Sequence, residues 1–453
     1  MKNAIVLAAG KGQRMKSNLT KVMHPLANKP IIGHIVDKLE DIGVDNTVVV
    51  VGYQAEKVEE YLKDRVTFAF QEVLSGTASA VMQATSLAHE EGDTLIIYGD
   101  VALISEELLT NMYTHNAEKD LSILTVTREE PSHYARVIRD SQGRVEKIVE
   151  YRDCTDRELL IQEVTTGIYC IKNKLLFEYL PKIKHNDVHN CYDLSSLVEL
   201  LYKDGHSIQS VRAENPIEVM GINDRIQLSV ANEVLREQIN YKHMLNGVTM
   251  IDPKSTYIGM DVEIEADAVI YPNCHIRGKS IIRTETIIYA NCWIENSIIG
   301  SNCKVMDSRI TDSEVKNNVK IGPFAHLRMN TVVEDDNRIG NFVELKKTRL
   351  GEDSRCAHLT YLGDSDIGSK VNIGCGVVTV NYDGKHKFKT IVKDGAFIGS
   401  NVNLIAPVTI GKNAVVTAGS TITDDVDDEA MAFARSRQEN KAGYGLKYKK
   451  KEK

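Results

Sequence analysis

Residues 258–294 read IGMDVEIEADAVIYPNCHIRGKSIIRTETIIYANCWI, with isoleucine at 258, 264, 270, 276, 282, 288 and 294. An aliphatic residue at every sixth position fits neither the 3.6-residue period of a helix nor the two-residue alternation of a half-buried strand. It fits a coil of three flat sides, each a short strand followed by a turn. Stacking such coils at the roughly 4.8 Å spacing of paired strands sets one isoleucine above the next and builds a continuous apolar interior. Hexapeptide repeats of this kind mark a parallel β-helix. The rhythm slips by one residue at Ile299, resumes at Val305 and slips again at Ile310 and Val315. It continues through Ile321, Leu327, Val333, Ile339 and Leu345, and returns as Ile398, Leu404, Ile410, Val416 and Ile422. The stretch Val377 to Ala396 lacks it and is expected to loop out. The alternative, an irregular β-sandwich, calls for alternation and stronger hairpin signals. The flat faces of a coil favour self-association, and a trimer is the expected form.

Upstream of the coil, NDRIQLSVANEVLREQINYKHMLN (223–246) has spaced apolar residues and good helix formers and stops at Gly247, which predicts a connecting helix. Before it, AIVLAA, TVVVVGY, TLIIYGD and LSILTVT are apolar runs of strand length. They alternate with helical segments PIIGHIVDKLEDIG, AEKVEEYLKD and SGTASAVMQATSLAHEEG. That alternation predicts an α/β sheet with helices on both faces and ligands beyond the carboxyl ends of the strands. The loops GKGQRMK and GDVAL fall there.

With 453 residues, the chain is too long for one ordinary core. A net charge of −8 argues against a general nucleic-acid binder. The basic end, KYKKKEK (447–453), reads as a solvated tail rather than a contact arm. Eight scattered cysteines form no CxxC pair or close Cys/His cluster, so zinc is not expected and the thiols read as reduced and cytoplasmic. The start MKNAIVLAAG mimics a short signal peptide, but a first buried strand is the better reading. No run approaches the roughly 18 apolar residues of a membrane span.

LAAGKGQRMKSNLTK (7–21) combines glycines with Lys11, Arg14 and Lys21. Glycines let backbone N–H groups approach a phosphate, and the cations offset charge on a departing pyrophosphate. A plain strand-to-helix turn is the alternative, because the loop matches neither GxxxxGK[ST] nor a full GxGxxG. Asp100, after a buried strand, suits either a turn or a Mg²⁺ ligand.

These stretches, with QEVLSGTASA (71–80), YGDVALIS (98–105), GIND (221–224) and the hexapeptide half, resemble a family of bifunctional bacterial enzymes that make UDP-N-acetylglucosamine. Its members join an N-acetylglucosamine-1-phosphate uridylyltransferase (a UDP-N-acetylglucosamine diphosphorylase) to a glucosamine-1-phosphate N-acetyltransferase. The resemblance covers essentially the whole chain. It implies a Rossmann-like α/β nucleotidyltransferase domain over residues 1–222, a linker helix over 223–247, and a left-handed parallel β-helix acetyltransferase domain over 248–453 with a short tail. It further implies that Leu7, Ala8, Gly10, Gln71, Gly76 and Thr77 hold uridine and ribose. Arg14 and Lys21 then stabilise the phosphates, and Asp100 and Asn223 bind Mg²⁺.

In the second half, HLRMN (326–330), FVELKKTRLGEDSRCAHLTYLGD (342–364), NIGCG (372–376) and VNYDGKHKFKT (380–390) carry the densest chemistry. Arg328, Lys346, Tyr361, Asn372 and Lys387 suit a sugar phosphate. His358 is able to take a proton near neutral pH and Glu344 to orient it. An isolated histidine here would more simply pack against the coil. The resemblance makes His358 the base, Glu344 its partner carboxylate, and Asn381 and Tyr382 contacts to the acetyl group and amine. It makes Ser400, Ala418 and Arg435 acetyl-coenzyme A contacts between neighbouring subunits of a trimer.

The sugar end of the first site departs from the family. Ala135 stands for the glycine of a YGR motif, Thr165 for an asparagine before Thr-Gly, and HNCYD (189–193) for QGEYY, while Glu150 remains to accept hydrogen bonds from sugar hydroxyls. Met329 replaces a common proline on the coil. Three readings follow. The first is acetylation of glucosamine-1-phosphate with acetyl-coenzyme A, then uridylyl transfer from UTP. The second is a relative with an altered acceptor or a weakened uridylyltransferase. The third is a non-catalytic scaffold.

Overall fold

The computed structural model describes residues 1–449; Lys450–Lys453, the end of the basic tail, lie outside the described residues. The chain divides into two compact units between Leu235 and Arg236, inside the helix Arg225–Leu245.

The first unit is built on a sheet whose main path runs Ile208–Ala213, Leu121–Thr127, Glu163–Lys172, Asp93–Tyr98, Lys2–Leu7, Asn46–Val51, Thr67–Phe70. The last four of these strands are mutually parallel, so their carboxyl ends share one edge. Glu163–Lys172 runs antiparallel to both neighbours. The β-branched runs that signalled these strands are buried on both faces. Ile35, Leu39 and Leu109 belong to the cluster on one side, and Val81, Leu176 and Leu201 to that on the other. Helices Ile31–Asp41 and Ala55–Leu62 lie within their expected segments. The segment 75–92 does not form one helix. It gives Thr77–Val81 and a 3₁₀ turn Thr85–Leu87. The Asn173 amide donates to the carbonyls of Leu87 and Glu90 at 2.6 and 2.7 Å, a tertiary bond that favours a turn where local sequence favours helix.

The second unit is a left-handed parallel β-helix of three ladders. Ile258, Ile276, Ile294, Ile310 and Leu327 stack on one face. Ile264, Ile282, Ile299, Val315 and Val333 stack on the next. Ile270, Ile288, Val305, Ile321 and Ile339 stack on the third. All are buried. The one-residue slips in the rhythm are shortened corners: Ile282 pairs with Ile299 and Ile294 with Ile310, seventeen and sixteen residues on rather than eighteen. Asn and Asp occupy many corners with left-handed backbone (Asn291 φ 61°, Asn302 φ 55°, Asp312 φ 46°), which their short polar side chains tolerate. The expectation for Val377 to Ala396 needs correction. Val378–Val380 and Thr390–Val392 remain in the ladders, and only residues 381–389 leave the coil. Trp293, the single tryptophan, stacks on His275 at 5.2 Å between the guanidinium groups of Arg277 and Arg309.

Ile310→Ala leaves a cavity in a fully buried ladder position. It is expected to lower the stability of the second unit by about 2–5 kcal/mol, read by urea titration of Trp293 fluorescence.

Candidate functional site

At the carboxyl edge of the first sheet lies a cavity of about 290 Å³ lined by Leu7, Ala8, Ala9, Gly10, Lys21, Val22, Gln71, Leu74, Gly76, Thr77, Ala80, Tyr98 and Asp100. Three stretches distant in sequence meet at its floor. Lys21 Nζ donates to the buried Asp100 carboxylate, and to Asn223 Oδ1 at 3.1 Å. Asn223 is held by its own backbone N–H, which donates to Gln227 Oε1 at 2.8 Å, and the Ile222 N–H donates to the Asp100 carbonyl at 3.0 Å. Gly12 has φ 60°, and a Cβ there would stand 2.6 Å from Lys21 Cβ, so glycine is what lets the lysine reach inward. Of the four cations in the loop only Lys21 lines the cavity; Lys11, Arg14 and Lys16 are exposed.

The wall of the cavity depends on Gly76. Its φ is 108°, and a Cβ would meet the Tyr192 carbonyl oxygen at 2.4 Å. Tyr192 O accepts from the Ala78 N–H at 2.9 Å, and Thr77 Oγ1 accepts from the Leu194 N–H at 3.0 Å. The HNCYD segment therefore braces the 76–78 turn. Gln71 Nε2 is 3.4 Å from both Gly76 O and Ser79 Oγ.

A second cavity of about 190 Å³ shares Thr77 and Tyr98 with the first and is lined also by His133, Tyr134, Ala135, Glu150, Thr165, Thr166, Gly167, Tyr169, Leu194 and Ser195. The departures at 135 and 165 thus face one space, joined by the Thr165 N–H donating to Ala135 O at 3.1 Å. Ser195 Oγ donates to Glu150 Oε1 at 3.0 Å. Burial raises the Glu150 pKa above the ordinary glutamate value; the Ser195 bond opposes that and the Asp193 charge adds to it. Burial also pushes up the phenols of Tyr98 and Tyr169.

Beneath the loop that follows Asp100, Lys38 Nζ donates to the carbonyls of Ala102 and Ile104, 2.7 Å each. Burial lowers its pKa to about 8 against the attraction of Glu106 and Glu218. This lysine strap carried no signal in the sequence, where Lys38 reads as one more charge on a helix.

In the second unit, strands Arg338–Lys346 and Arg355–Gly363 run unbroken through a corner that elsewhere interrupts the ladders. Asn341, His358, Cys375, Ser400 and Ala418 take the same corner position on successive coils. Arg435 Nη1 donates to Ala418 O at 2.8 Å. His358, Ser400, Ala418 and Arg435 are thereby gathered. Asn341 and the exposed Cys375 join them unforeseen. Their signal is a seventeen-residue spacing, 341–358–375, legible only once the local coil length is known.

Glu344 does not orient His358 within this chain. It lies opposite Tyr361, past the corner, and is held by Arg328 (Nε to Oε1 2.8 Å, Nη2 to Oε1 2.7 Å). His358 Nδ1 instead meets Asn341 Oδ1 at 3.0 Å. The reason is the corner: Phe342, with left-handed backbone (φ 58°), lies between Asn341 and Glu344 and turns Glu344 onto the next face, opposite Tyr361 rather than His358.

Arg328, Lys346 and Tyr361 share the face after the corner, whereas Asn372 lies before it, aligned with Arg355. Lys346 Nζ donates to Asp364 Oδ2 at 3.1 Å, and the Asn381 amide donates to the same oxygen. The neighbouring Lys346 ammonium lowers the Lys387 pKa. Lys387 also lines a groove of about 450 Å³ with Lys347, Arg349, Asp364, Phe388 and Lys389. Tyr382 is exposed on the 381–389 loop, its hydroxyl donating to Gly384 O at 2.7 Å.

Residues 4–164 match the family described as MobA-like NTP transferase domain, and residues 389–424 match bacterial transferase hexapeptide repeats. The chain is 46% identical over 444 residues to the bifunctional protein GlmU of Geobacillus sp. (strain WCH70), covering 97% of each. It is 47% identical to that of Exiguobacterium sibiricum, covering 97% of this chain and 99% of the relative. To that of Listeria monocytogenes serotype 4a it is 45% identical, covering 97% of each.

Lys38→Met keeps the apolar stem and removes both bonds to the loop after Asp100. Exchange of the Ile104 amide, bonded to Val101 O, is expected to quicken by about tenfold or more, read by hydrogen–deuterium exchange.

Proposed function

The chain belongs to the bifunctional GlmU family, and we propose that its first unit transfers uridylyl groups and its second acetyl groups, each through the side chains gathered above. It is a bifunctional enzyme, a uridylyltransferase and an acetyltransferase. Neither a changed acceptor nor a non-catalytic scaffold gains support from its relatives. The observation that carries the assignment of the first site is the meeting of Lys21, Asp100 and Asn223 at the cavity floor.

In uridylyl transfer a phosphate oxygen of N-acetylglucosamine-1-phosphate attacks the α-phosphorus of UTP in line, and pyrophosphate leaves. Leu7, Ala8, Gly10, Gln71, Gly76 and Thr77 hold uridine and ribose in the larger cavity. Glu150, Ala135 and Thr165 face the acceptor sugar in the smaller one, so that the shared Thr77 and Tyr98 stand between the two substrates. Lys21 and Arg14 neutralise phosphate charge, Arg14 by turning in from its exposed position. Asp100 and Asn223 already aim two hard oxygens at one cation, the Lys21 ammonium, and that donor set suits Mg²⁺ completed by phosphates and water. Mg²⁺ held there would supply Lewis-acid polarisation of the phosphoryl oxygens.

In acetyl transfer the amine of glucosamine-1-phosphate attacks the thioester carbon of acetyl-coenzyme A. The C–N bond forms, the C–S bond breaks, coenzyme A leaves as thiolate, and His358 takes the amine proton. Lys346, Lys387 and Arg328 hold the sugar phosphate with Tyr361. Asn381 and Tyr382 meet the acetyl group and amine, and Ser400, Ala418 and Arg435 the coenzyme. Glu344 acts here by fixing Arg328. Asn372 stands on a different face from Tyr361, so one protomer offers two part-sites, and a homotrimer completes each from neighbouring subunits. Eight unpaired cysteines support a reducing, cytoplasmic setting. Among the described residues, no helix is long and apolar enough to cross a membrane.

Two substitutions separate the activities. Asp100→Asn is expected to remove pyrophosphate release and spare thiol release, and His358→Ala to do the reverse, with losses of about 100-fold or more. Coupled assays of both products on each purified variant check this, and loss of both activities in either variant would contradict two independent sites.

Because burial raises the Glu150 pKa, falling pH protonates it before an ordinary glutamate and removes an acceptor for sugar hydroxyls. The KM for N-acetylglucosamine-1-phosphate is expected to rise on the acid side while that for UTP changes less, and Glu150→Gln to flatten the rise. A steady-state pH series measures it.

A further inference from the structure

We propose that Asn341 is the positioning residue for the His358 imidazole, holding the proton on Nδ1 and leaving Nε2 to accept one from the substrate amine. The inference rests on His358 being the acetyl-transfer base.

The contact has ordinary hydrogen-bond length, Nδ1 to Asn341 Oδ1 at 3.0 Å. The two side chains stand directly opposite in adjacent coils. Their backbones are fixed on both sides. Phe342 and Leu359, the residues that follow each, adopt left-handed backbone (φ 58° and 38°), a costly conformation for bulky side chains that persists only where surroundings impose it. Those surroundings are visible. The Phe342 ring stacks on Phe324 at 5.4 Å, and the Phe342 N–H donates to Phe324 O at 3.1 Å. The Leu359 carbonyl accepts from the Gly376 N–H at 2.8 Å, and Thr360 Oγ1 donates to the His358 carbonyl at 2.7 Å. Asn341 and His358 are thus projected in parallel from two rigid corners.

The partner of one ring nitrogen decides the state of the other. An amide oxygen only accepts, so Nδ1 carries the hydrogen and the lone pair lies on Nε2, facing away from the coil neighbour. As the amine nitrogen bonds the thioester carbon, its proton passes to Nε2. The resulting imidazolium keeps its Nδ1–H on Asn341 and later yields the Nε2 proton to solvent or to the departing thiolate. Glu344, committed to Arg328, has no part in this. Were the amide turned, its NH₂ would donate to Nδ1, the hydrogen would sit on Nε2, and the ring would be no base on that side.

The full-length protein decides between these. Asn341→Ala is expected to lower kcat for acetyl transfer by about tenfold or more with little change in KM for glucosamine-1-phosphate. Asn341→Asp, which still accepts and no longer donates, is expected to keep kcat within about threefold of the parent. Trp293 fluorescence verifies that the coil is folded. An Asp variant as slow as the Ala variant, or an Ala variant as fast as the parent, overturns the proposal. Nitrogen-15 spectra of histidine-labelled parent protein give an answer independent of any variant: His358 protonated at Nδ1 supports the proposal, and at Nε2 refutes it. His358→Ala, run in parallel, tests the premise separately, since undiminished acetyl transfer there removes the base itself rather than its partner.

Discussion

The second unit depends on one constraint: parallel strands of two or three residues pair only if the coils they belong to stay in register along every face. Each short strand contributes few backbone hydrogen bonds, so the buried side chain it carries has to land on the one below. The ladders of Ile258, Ile264 and Ile270 and their successors meet that demand, and the hydrophobic gain per position, about 1.5–3 kcal/mol for a fully buried isoleucine, makes a slipped coil costly. Because the interior is fixed, the corners are too. A side chain at a corner therefore has its neighbour above and below defined by the coil length rather than by sequence proximity. That is how Asn341, His358, Cys375, Ser400 and Ala418, spread over much of the repeat region, come to form one column.

The first unit reaches the same end by another route. Parallel strands bring several loops to one edge, and the polar groups at that edge are then held from behind. Asp100 has its carbonyl bonded by Ile222 and its following loop strapped by Lys38. Asn223 is held by Gln227 of the helix that begins beyond it. The short interactions at the floor thus converge because each partner is anchored to a different element: a loop after the first strand, the end of a central strand, and the start of a long helix.

What the sequence disclosed follows from what is periodic or local. Six-residue spacing revealed the coil, and β-branched runs revealed the sheet, because burial on fixed faces leaves a fixed pattern. The slips at Ile299, Ile310 and Val315 were legible as interruptions but not as shortened corners, since pairing partners are a property of the stack. The 75–92 segment looked helical throughout because its length and alanines favour helix, yet a single buried amide, Asn173, nearly ninety residues away, shortens it. Likewise Val377 to Ala396 appeared to lack coil because the insertion 381–389 displaces the rhythm, although strands on both sides of it remain paired. Lys21 stood out as chemistry in a glycine-rich loop, and Asp100 and His358 did so through the family resemblance. Asn341 and Lys38 did not, for they act through a bond to another residue, and such bonds leave no local mark.

The correction at Glu344 bears on how the acetyl-transfer chemistry is arranged. A carboxylate beside the histidine would add a charge able to stabilise an imidazolium; the Asn341 amide meets the ring without one. The charge of Glu344 is instead placed on Arg328, one face away, where it holds the guanidinium. The Asn341–His358 contact and the Glu344–Arg328 ion pair thus lie on different sides of the corner. Asn372 lies on the first side and Tyr361 on the second, so the polar groups of this region are divided between two faces of the coil.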